Sequence, residues 1–458
     1  MTNKQIIYLS VYFIFSICIF LYTDMSYLAK LSLIVFVLSL GLYLLSNMPA
    51  GLSSFIAIMI GILLGLPEDV MFHSMNSHVV WLMIGAFIIS AAIEISGLLN
   101  RMINFIHVRC KTSRSVNILL FLIIQVISVI VPSTSGRAAA MLPVYKAFET
   151  RFPTNKKYFA LLIPILILMG ANLTLIGAGS HLVGIGLLEG KANKSISYSE
   201  FLLWGLPFGL VIGLVTFIVT KIMYMNISED VHYHQEKSHE ERKPFTQIEK
   251  RAIVYIVITI TLWMTENIHG FEIAFITMLM GICMMIPRIG VITWKQGVQN
   301  ISWSLIFFVA GATTLGNLLV IYKVVDYIQD HLLNYLSQFQ TLNEFAILSI
   351  IVIITVTSHL YITSHTTRAI VFVPVFLLFS EMFNLNPVAV VFITLIGTNY
   401  CVTFPVCSKA LLLFYEQDEK PFKNRDLMKI SVILMPTYIL LMIFSYYIWW
   451  QFTGLSLR

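Results

Sequence analysis

Charge is what this chain has least of. Asp, Glu, Lys and Arg make up only 11% of its 458 residues, against 58% hydrophobic, whereas a soluble domain carries about a quarter charged residues. A soluble globular fold is excluded. No His-Glu-x-x-His pair occurs, and the five cysteines (Cys18, Cys110, Cys283, Cys401, Cys407) are scattered without paired spacing. That excludes a disulfide framework and a ligand-spaced metal site. An intramembrane enzyme would need a base with a nucleophile, or a metal set, and neither pattern is present; no enzyme and no catalytic cofactor are expected. The short alternating segments of an outer-membrane barrel are missing too. The net charge of +6 sits in loops between apolar runs, where retention on the cytoplasmic side accounts for it, so no nucleic-acid partner is implied. Lys4 precedes an apolar run with no small-residue cleavage site after it. A retained first span is expected.

What is abundant is apolar sequence. The mean hydropathy is +0.85, and runs near 5–22, 28–46, 50–66, 79–99, 200–224, 252–267, 271–287, 302–320 and 430–450 have about the length an α-helix needs to cross the hydrocarbon. The expected fold is an all-α polytopic membrane protein in the lipid bilayer. Two further runs, 158–188 and 388–415, are interrupted by Gly170-Ala171-Asn172-Leu173-Thr174 with Gly177–His181, and by Gly397-Thr398-Asn399 with Phe404–Lys409. They read as helices unwound in the middle, bringing the total to about 11 spans. The run 302–320 is expected to continue as an amphipathic segment to about 335. Aligning Gly170 with Gly397 also matches Asn172 to Asn399 and Glu189 to Glu416.

Two apolar runs behave differently. Run 115–145 is too long for one span and too short for two, and it is basic at both ends (Arg109, Lys111, Arg114; Lys146, Arg151). Run 345–380 is flanked by Glu344 and Glu381, with no nearby lysine or arginine outside it. Each reads as a re-entrant hairpin, the first entering from the cytoplasm and the second from outside. Their centres repeat. Val131-Pro132-Ser133-Thr134-Ser135-Gly136-Arg137-Ala138 aligns without a gap on Ile362-Thr363-Ser364-His365-Thr366-Thr367-Arg368-Ala369, and Pro143 on Pro374. The chain thus divides into an N-terminal repeat (1–225), a charged cytoplasmic linker (226–251) and a C-terminal repeat (252–458) of inverted topology. Of the 29 basic residues, 21 fall on the proposed cytoplasmic side, five outside and three (Arg137, Arg368, Lys409) in the membrane. The N-terminus is then cytoplasmic and the C-terminus extracellular, in a multi-pass protein of the plasma membrane.

Inverted hairpins and broken helices place substrate and ions near the midplane. Unwinding frees carbonyls for a cation, and helix N-termini favour an anion. Ser133, Thr134, Ser135, Ser364, His365 and Thr366 are candidate substrate ligands, with Asn172 and Asn399 at the helix breaks. Arg137 and Arg368 offer planar forks that match carboxylate or sulfate; clamping carbonyls at a hairpin end is their structural alternative. Lys409 meets a second substrate charge or snorkels toward the cytoplasm. Glu94 is expected to pair with a nearby base such as Arg101, while His73, His78, His107 and His181 read as interfacial or packing residues.

Paired Ser-x-Thr/Ser knots in opposed hairpins, each followed by a proline and a Gly-rich broken helix, resemble the divalent anion:sodium symporter family of the ion transporter superfamily. The resemblance covers essentially the whole chain. It implies a homodimer that moves a small anionic substrate by an elevator motion. It also implies cation sites formed by Ser133, Thr134, Ser135, Gly170 and Thr174 on one side and by Ser364, Thr366, Gly397 and Cys401 on the other. The arginine after each knot is similar to the Ser-Asn-Thr-Ala-Arg form of plastidic dicarboxylate translocators. Where the family has asparagines, this chain has Thr134 and His365, and a histidine titrates near neutrality. The coupling ion is therefore Na+ or H+. The expected function is secondary transport of a C4-type dicarboxylate, or of citrate or sulfate. A proton-coupled symporter, an anion exchanger, and an arsenite or cation/proton antiporter of the same superfamily are the alternatives.

Overall fold

A computed structural model describes residues 3–45, 48–98, 101, 113–131, 133–226, 244–324, 326–327, 343–417 and 420–458. His107, Arg109, Cys110, Lys111 and Pro132, most of the linker and the end of the expected amphipathic segment lie outside the described residues. Among the described residues there are helices and turns but no strand. The first half contains α1 (Asn3–Tyr22), α2 (Tyr27–Leu45), α3 (Ala50–Leu63), α4 (His78–Ile95), α5 (Ser113–Ile130), α6 (Thr134–Arg151), α7 (Lys156–Gly170), α8 (Gly179–Ala192) and α9 (Tyr198–Tyr224). The second contains α10 (Gln247–Met264), α11 (Ile273–Cys283), α12 (Trp303–Ile321), α13 (Glu344–Thr357), α14 (His365–Met382), α15 (Pro387–Asn399), α16 (Lys409–Tyr415) and α17 (Asn424–Ile448). Six described helical segments are long and apolar enough to cross a membrane, those containing α4, α7, α9, α12, α14 and α17.

Local chemistry sets several of these boundaries. Reciprocal capping boxes, Ser197 with Glu200 and Thr246 with Glu249, start α9 and α10, each satisfying backbone donors that the first helical turn leaves unpaired. The second box explains why α10 begins at Gln247, inside the segment that composition alone assigns to the linker. Asn343 and Asn386 cap α13 and α15, the latter with Pro387 in the first turn. On α9, Leu203, Leu210, Leu214, Ile218 and Ile222 face outward while Phe201, Trp204, Phe208 and Ile212 are buried. Such an outward apolar face belongs against lipid rather than water. By contrast α7 is buried from Tyr158 to Gly170 and α15 from Ala389 to Asn399. Helices apolar all round belong in the interior, so the two broken helices form the centre.

The hairpins pack reciprocally around that centre. Helix α8 lies on α14, and α16 lies on α6, so the second arm of each hairpin touches the broken helix of the other half. Each hairpin also packs on the broken helix of its own half, α5 and α6 on α7, α13 and α14 on α15.

Ion pairs tie the ends together. Lys157 reaches Asp426 at 2.7 Å, Lys191 reaches Glu381 at 3.3 Å, and His78 Nδ1 lies 2.7 Å from Glu272. Each joins residues that the distribution of basic residues assigns to one membrane face. Arg101 departs from expectation. Its partner is Glu249, held by a two-pronged contact of 2.9 and 2.8 Å, whereas Glu94 is exposed. The capping box already fixes the Glu249 carboxylate, and a prepositioned carboxylate matches the guanidinium fork better than a mobile one.

Candidate functional site

Each hairpin turns through a capped helix start. After α5 the chain is extended at Ser133 (φ −138°, ψ 120°), whose Oγ accepts a hydrogen bond from the Gly136 amide at 3.1 Å. After α13 a 3-10 turn (Ser358–Leu360) intervenes, and Ser364 then caps α14 by accepting from the Thr367 amide at 3.2 Å. The second tip is the longer of the two. Ser128 and Thr355 occupy equivalent places on the incoming arms, so the extra residues are Ser358–Tyr361, and they carry His359.

Glycine at the helix breaks lets the hairpins approach. A Cβ on Gly170 would lie 2.3 Å from Ser128 Oγ, and one on Gly397 would lie 2.0 Å from Thr355 Oγ1. Neither contact is tolerable, so only glycine permits the arm of the hairpin to press on the last turn of the broken helix. Beyond these points α7 gives way to 3-10 turns at Ala171–Leu173 and Leu175–Gly177 before α8 begins. Beyond α15, residues 400–404 are non-helical before the turn Pro405–Cys407.

The two breaks meet through their asparagines. Asn399 Nδ2 donates to Asn172 Oδ1 at 2.9 Å, and Asn399 Oδ1 accepts from Ser180 Oγ at 3.0 Å. His181 completes the cluster. Its Nδ1 faces the carbonyls of Thr174 and Leu175 at 3.1 and 3.2 Å, so that nitrogen carries the hydrogen, and Nε2 accepts from Asn399 Nδ2. His181 is fully buried at the junction of the halves rather than a bystander in packing. The signal that could have located it is its position directly after the Gly-rich break. A second chain of polar contacts runs behind the other tip. His359 Nε2 contacts Thr403 Oγ1 at 2.6 Å, Thr403 contacts Ser431 Oγ at 2.6 Å, and Ser431 contacts the Tyr400 hydroxyl at 2.9 Å.

In front of these networks lies a cavity of about 380 Å³. Both tips line it, through Ser133, Thr134 and Ser135 on one side and Thr363, Ser364, His365 and Thr366 on the other. Both breaks line it as well, through Ala171, Gly179 and Ser180 and through Asn399, Cys407 and Ser408. Helix α4 closes one wall with Met83, Phe87 and Ser90. The starts of α6, α8, α14 and α16 all open onto this space. Serines cap one amide at three of these starts, and the positive ends of the helix dipoles favour an anion there. Among the described residues, Lys409 lines the cavity and no Asp or Glu does. A cationic ligand would therefore meet no compensating charge.

The remaining predicted residues stand one layer back. Asn172, Gly170, Thr174, Gly397 and Cys401 are not in the cavity wall; Thr174 and Cys401 are fully buried. Nor do Arg137 and Arg368 reach it. Both are 0% exposed. Arg137 donates from Nε to Ser133 O at 3.3 Å and from a terminal nitrogen to Gly177 O, bridging the first tip to the first break. Arg368 donates to Tyr400 O at 2.8 Å, doing the same for the second. In this conformation the forks take carbonyls that the helix breaks set free. Among the described residues no group of three or more His, Cys, Asp or Glu side chains could hold a metal ion.

Two helical hairpins, two broken helices and a cavity at their meeting point are the features of a multi-pass membrane transporter. The chain belongs to the sodium:sulfate symporter family, whose transmembrane region matches residues 3–456. Among characterised and catalogued proteins it is 24% identical over 307 residues to a "Membrane protein" of Cupriavidus necator, covering 64% of this chain and 59% of that one. It is 21% identical over 395 residues to an "Uncharacterized transporter" of Haemophilus influenzae, covering 81% of each chain. It is also 21% identical over 282 residues to a "Citrate/succinate antiporter" of Escherichia coli, covering 58% of this chain and 57% of that one. The match thus spans less than two thirds of the first and third of these relatives. The fold is similar to that of the YdaH transporter of Alcanivorax borkumensis, with a TM-score of 0.61 at 11% identity, covering 94% of this chain and 98% of that one.

Proposed function

We propose that this transporter moves a small divalent anion, a C4-type dicarboxylate first and citrate or sulfate next, by secondary active transport with elevator-type alternating access in a homodimer. One observation carries the reading: four helix starts and two hydroxyl-rich tips converge on a cavity lined, among the described residues, by a lysine and no carboxylate. Ser133, Thr134, Ser135, Ser364, His365, Thr366 and Asn399 are the ligands within reach of such an anion, with Arg137, Arg368 and Asn172 holding the wall behind them. The reciprocal packing of each hairpin on the opposite broken helix supports two halves related by inverted topology, with both hairpins re-entrant. It is the contact pattern expected of a site shared between repeats. An arsenite or cation/proton antiporter would need an acid in the cavity, and among the described residues none lines it.

Sodium fits the first of its two expected sites better than the second. Thr174 Oγ1 and Ser128 Oγ, the latter against Gly170, are buried without a hydrogen-bond partner, and a buried hydroxyl without a partner costs about 1–3 kcal/mol. A cation would satisfy Thr174 Oγ1, whereas Ser128 Oγ and the unpaired Arg137 Nη1 both lie within 4 Å of the place a Cβ on Gly170 would take. At the second site Arg368 occupies Tyr400 O, and the Cys401 thiol donates to Cys407 O at 2.7 Å, which leaves no comparable oxygen among Ser364, Thr366, Gly397 and Cys401. A second reading, anion exchange without a coupling cation, is favoured by the two buried guanidiniums, which already supply fixed positive charge at both breaks. The test is uptake of labelled succinate, citrate and sulfate into proteoliposomes. Sodium gradient, proton gradient and internal anion are varied separately. Sodium-driven uptake into empty vesicles supports symport; uptake only into anion-loaded vesicles, indifferent to sodium, selects exchange. Failure to move any of these anions would remove the transport proposal.

A further inference from the structure

Arg137 and Arg368 do not line the cavity, so among the described residues its wall carries one lysine or arginine, Lys409. It is the first residue of α16, directly after Ser408, whose Oγ caps the helix by accepting from the Ala410 amide at 3.1 Å. Lys409 is exposed, and none of the ion pairs among the described residues involves it. Lys409 is one of the residues that line the cavity. The pseudo-symmetric position makes the point sharper. Aligning Gly170 with Gly397 places Leu182 opposite Lys409 in the repeat, and Leu182 lines the same cavity. The two hydroxyl tips are near-copies of each other, but the charge belongs to one wall alone.

We propose that Lys409 determines specificity by binding the second, distal carboxylate of the substrate, so that this site selects an extended dicarboxylate over a compact dianion such as sulfate. The inference rests on the anion-transport reading above and deepens it. Hydroxyls and backbone amides at the tips are neutral donors that serve one anionic group of either ligand. A compact dianion held there keeps both charges in one place and has nothing to extend toward a second wall. An extended dicarboxylate places its second charge away from the first, where only an unpaired cation in the wall compensates its lost hydration. The buried guanidiniums act behind the wall on both ligands alike. Lys409 is the charge free to discriminate.

The experiment uses the full chain in proteoliposomes at matched protein content, with competition between unlabelled succinate and sulfate for labelled succinate uptake. Lys409→Gln and Lys409→Leu should each raise the apparent KM for succinate on the order of tenfold or more, the loss of one charge-assisted contact. The ratio of succinate to sulfate affinity should move against succinate by a similar factor. Lys409→Arg should keep that ratio within a few-fold of the native value, since it keeps the cation. Because the ratio is measured within each variant, poor insertion cancels. A ratio unchanged in Lys409→Gln, or lost equally in Lys409→Arg, overturns the assignment while the transport reading stands. A native protein that takes up none of succinate, citrate and sulfate overturns both.

Discussion

Replacing Arg137 or Arg368 by glutamine separates two roles that an arginine can have beside an anion site. Arg137 links the first tip to the first break through Gly177 O and also holds Ser133 O of its own helix start, and Arg368 links the second pair through Tyr400 O. A hydrogen bond with a charged donor contributes about 1.5–3 kcal/mol. The loss is therefore about 3–6 kcal/mol for Arg137→Gln and about half that for Arg368→Gln. Arg137→Lys keeps the charge but cannot span both carbonyls, and should fall between native and glutamine. Two measurements are needed, thermal unfolding in detergent and initial uptake in proteoliposomes. The order of stability should be native, Arg368→Gln, Arg137→Gln, with transport lost mainly through the maximal rate as the tip is released from the break. Unchanged unfolding midpoints with a large rise in apparent KM would refute the reasoning, and would return the forks to direct contact with substrate.

Other predictions follow from the same geometry. Gly170→Ala should destabilise the protein by about 1–3 kcal/mol, the usual cost of overpacking; Ser128→Gly in the same chain, by removing the side chain it strikes, should restore most of the loss in thermal unfolding. If both hairpins are re-entrant, cysteines at 113 and 148 should be labelled from the cytoplasmic side and those at 343 and 382 from outside, and ends on opposite faces would exclude re-entrance. Asn399→Ala would leave Asn172 Oδ1, Ser180 Oγ and His181 Nε2 without their shared partner, so it should abolish uptake and lower the unfolding midpoint more than Ser180→Ala does. If His365 carries the coupling proton, uptake should rise as pH falls and His365→Asn should shift dependence from protons toward sodium. Sodium-dependent uptake with no response to pH in both proteins would reject proton coupling.

Sequence alone determined the class of protein, the expectation of two opposed hairpins and the identity of their tips. Hydropathy over lengths near 20 residues reports the thickness of the bilayer, and the duplicated polar knots stand out because polar groups inside an apolar run are costly. Ser133–Ser135 and Ser364–Thr366 do line one cavity, and Asn399 joins them. What the sequence could not convey is direction and depth. Whether Asn172 touches ligand or another amide depends on a partner 227 residues away, and no local pattern encodes that pairing. The arginines read as substrate forks because a charge buried in apolar sequence needs a partner. Tertiary structure supplied backbone carbonyls, released by helix breaks whose proximity to the tips depends on Gly170 and Gly397 meeting Ser128 and Thr355. His181 and Lys409 changed standing for the same reason. The folding of two broken helices against each other's hairpins put one at the junction of the halves and the other in the cavity wall.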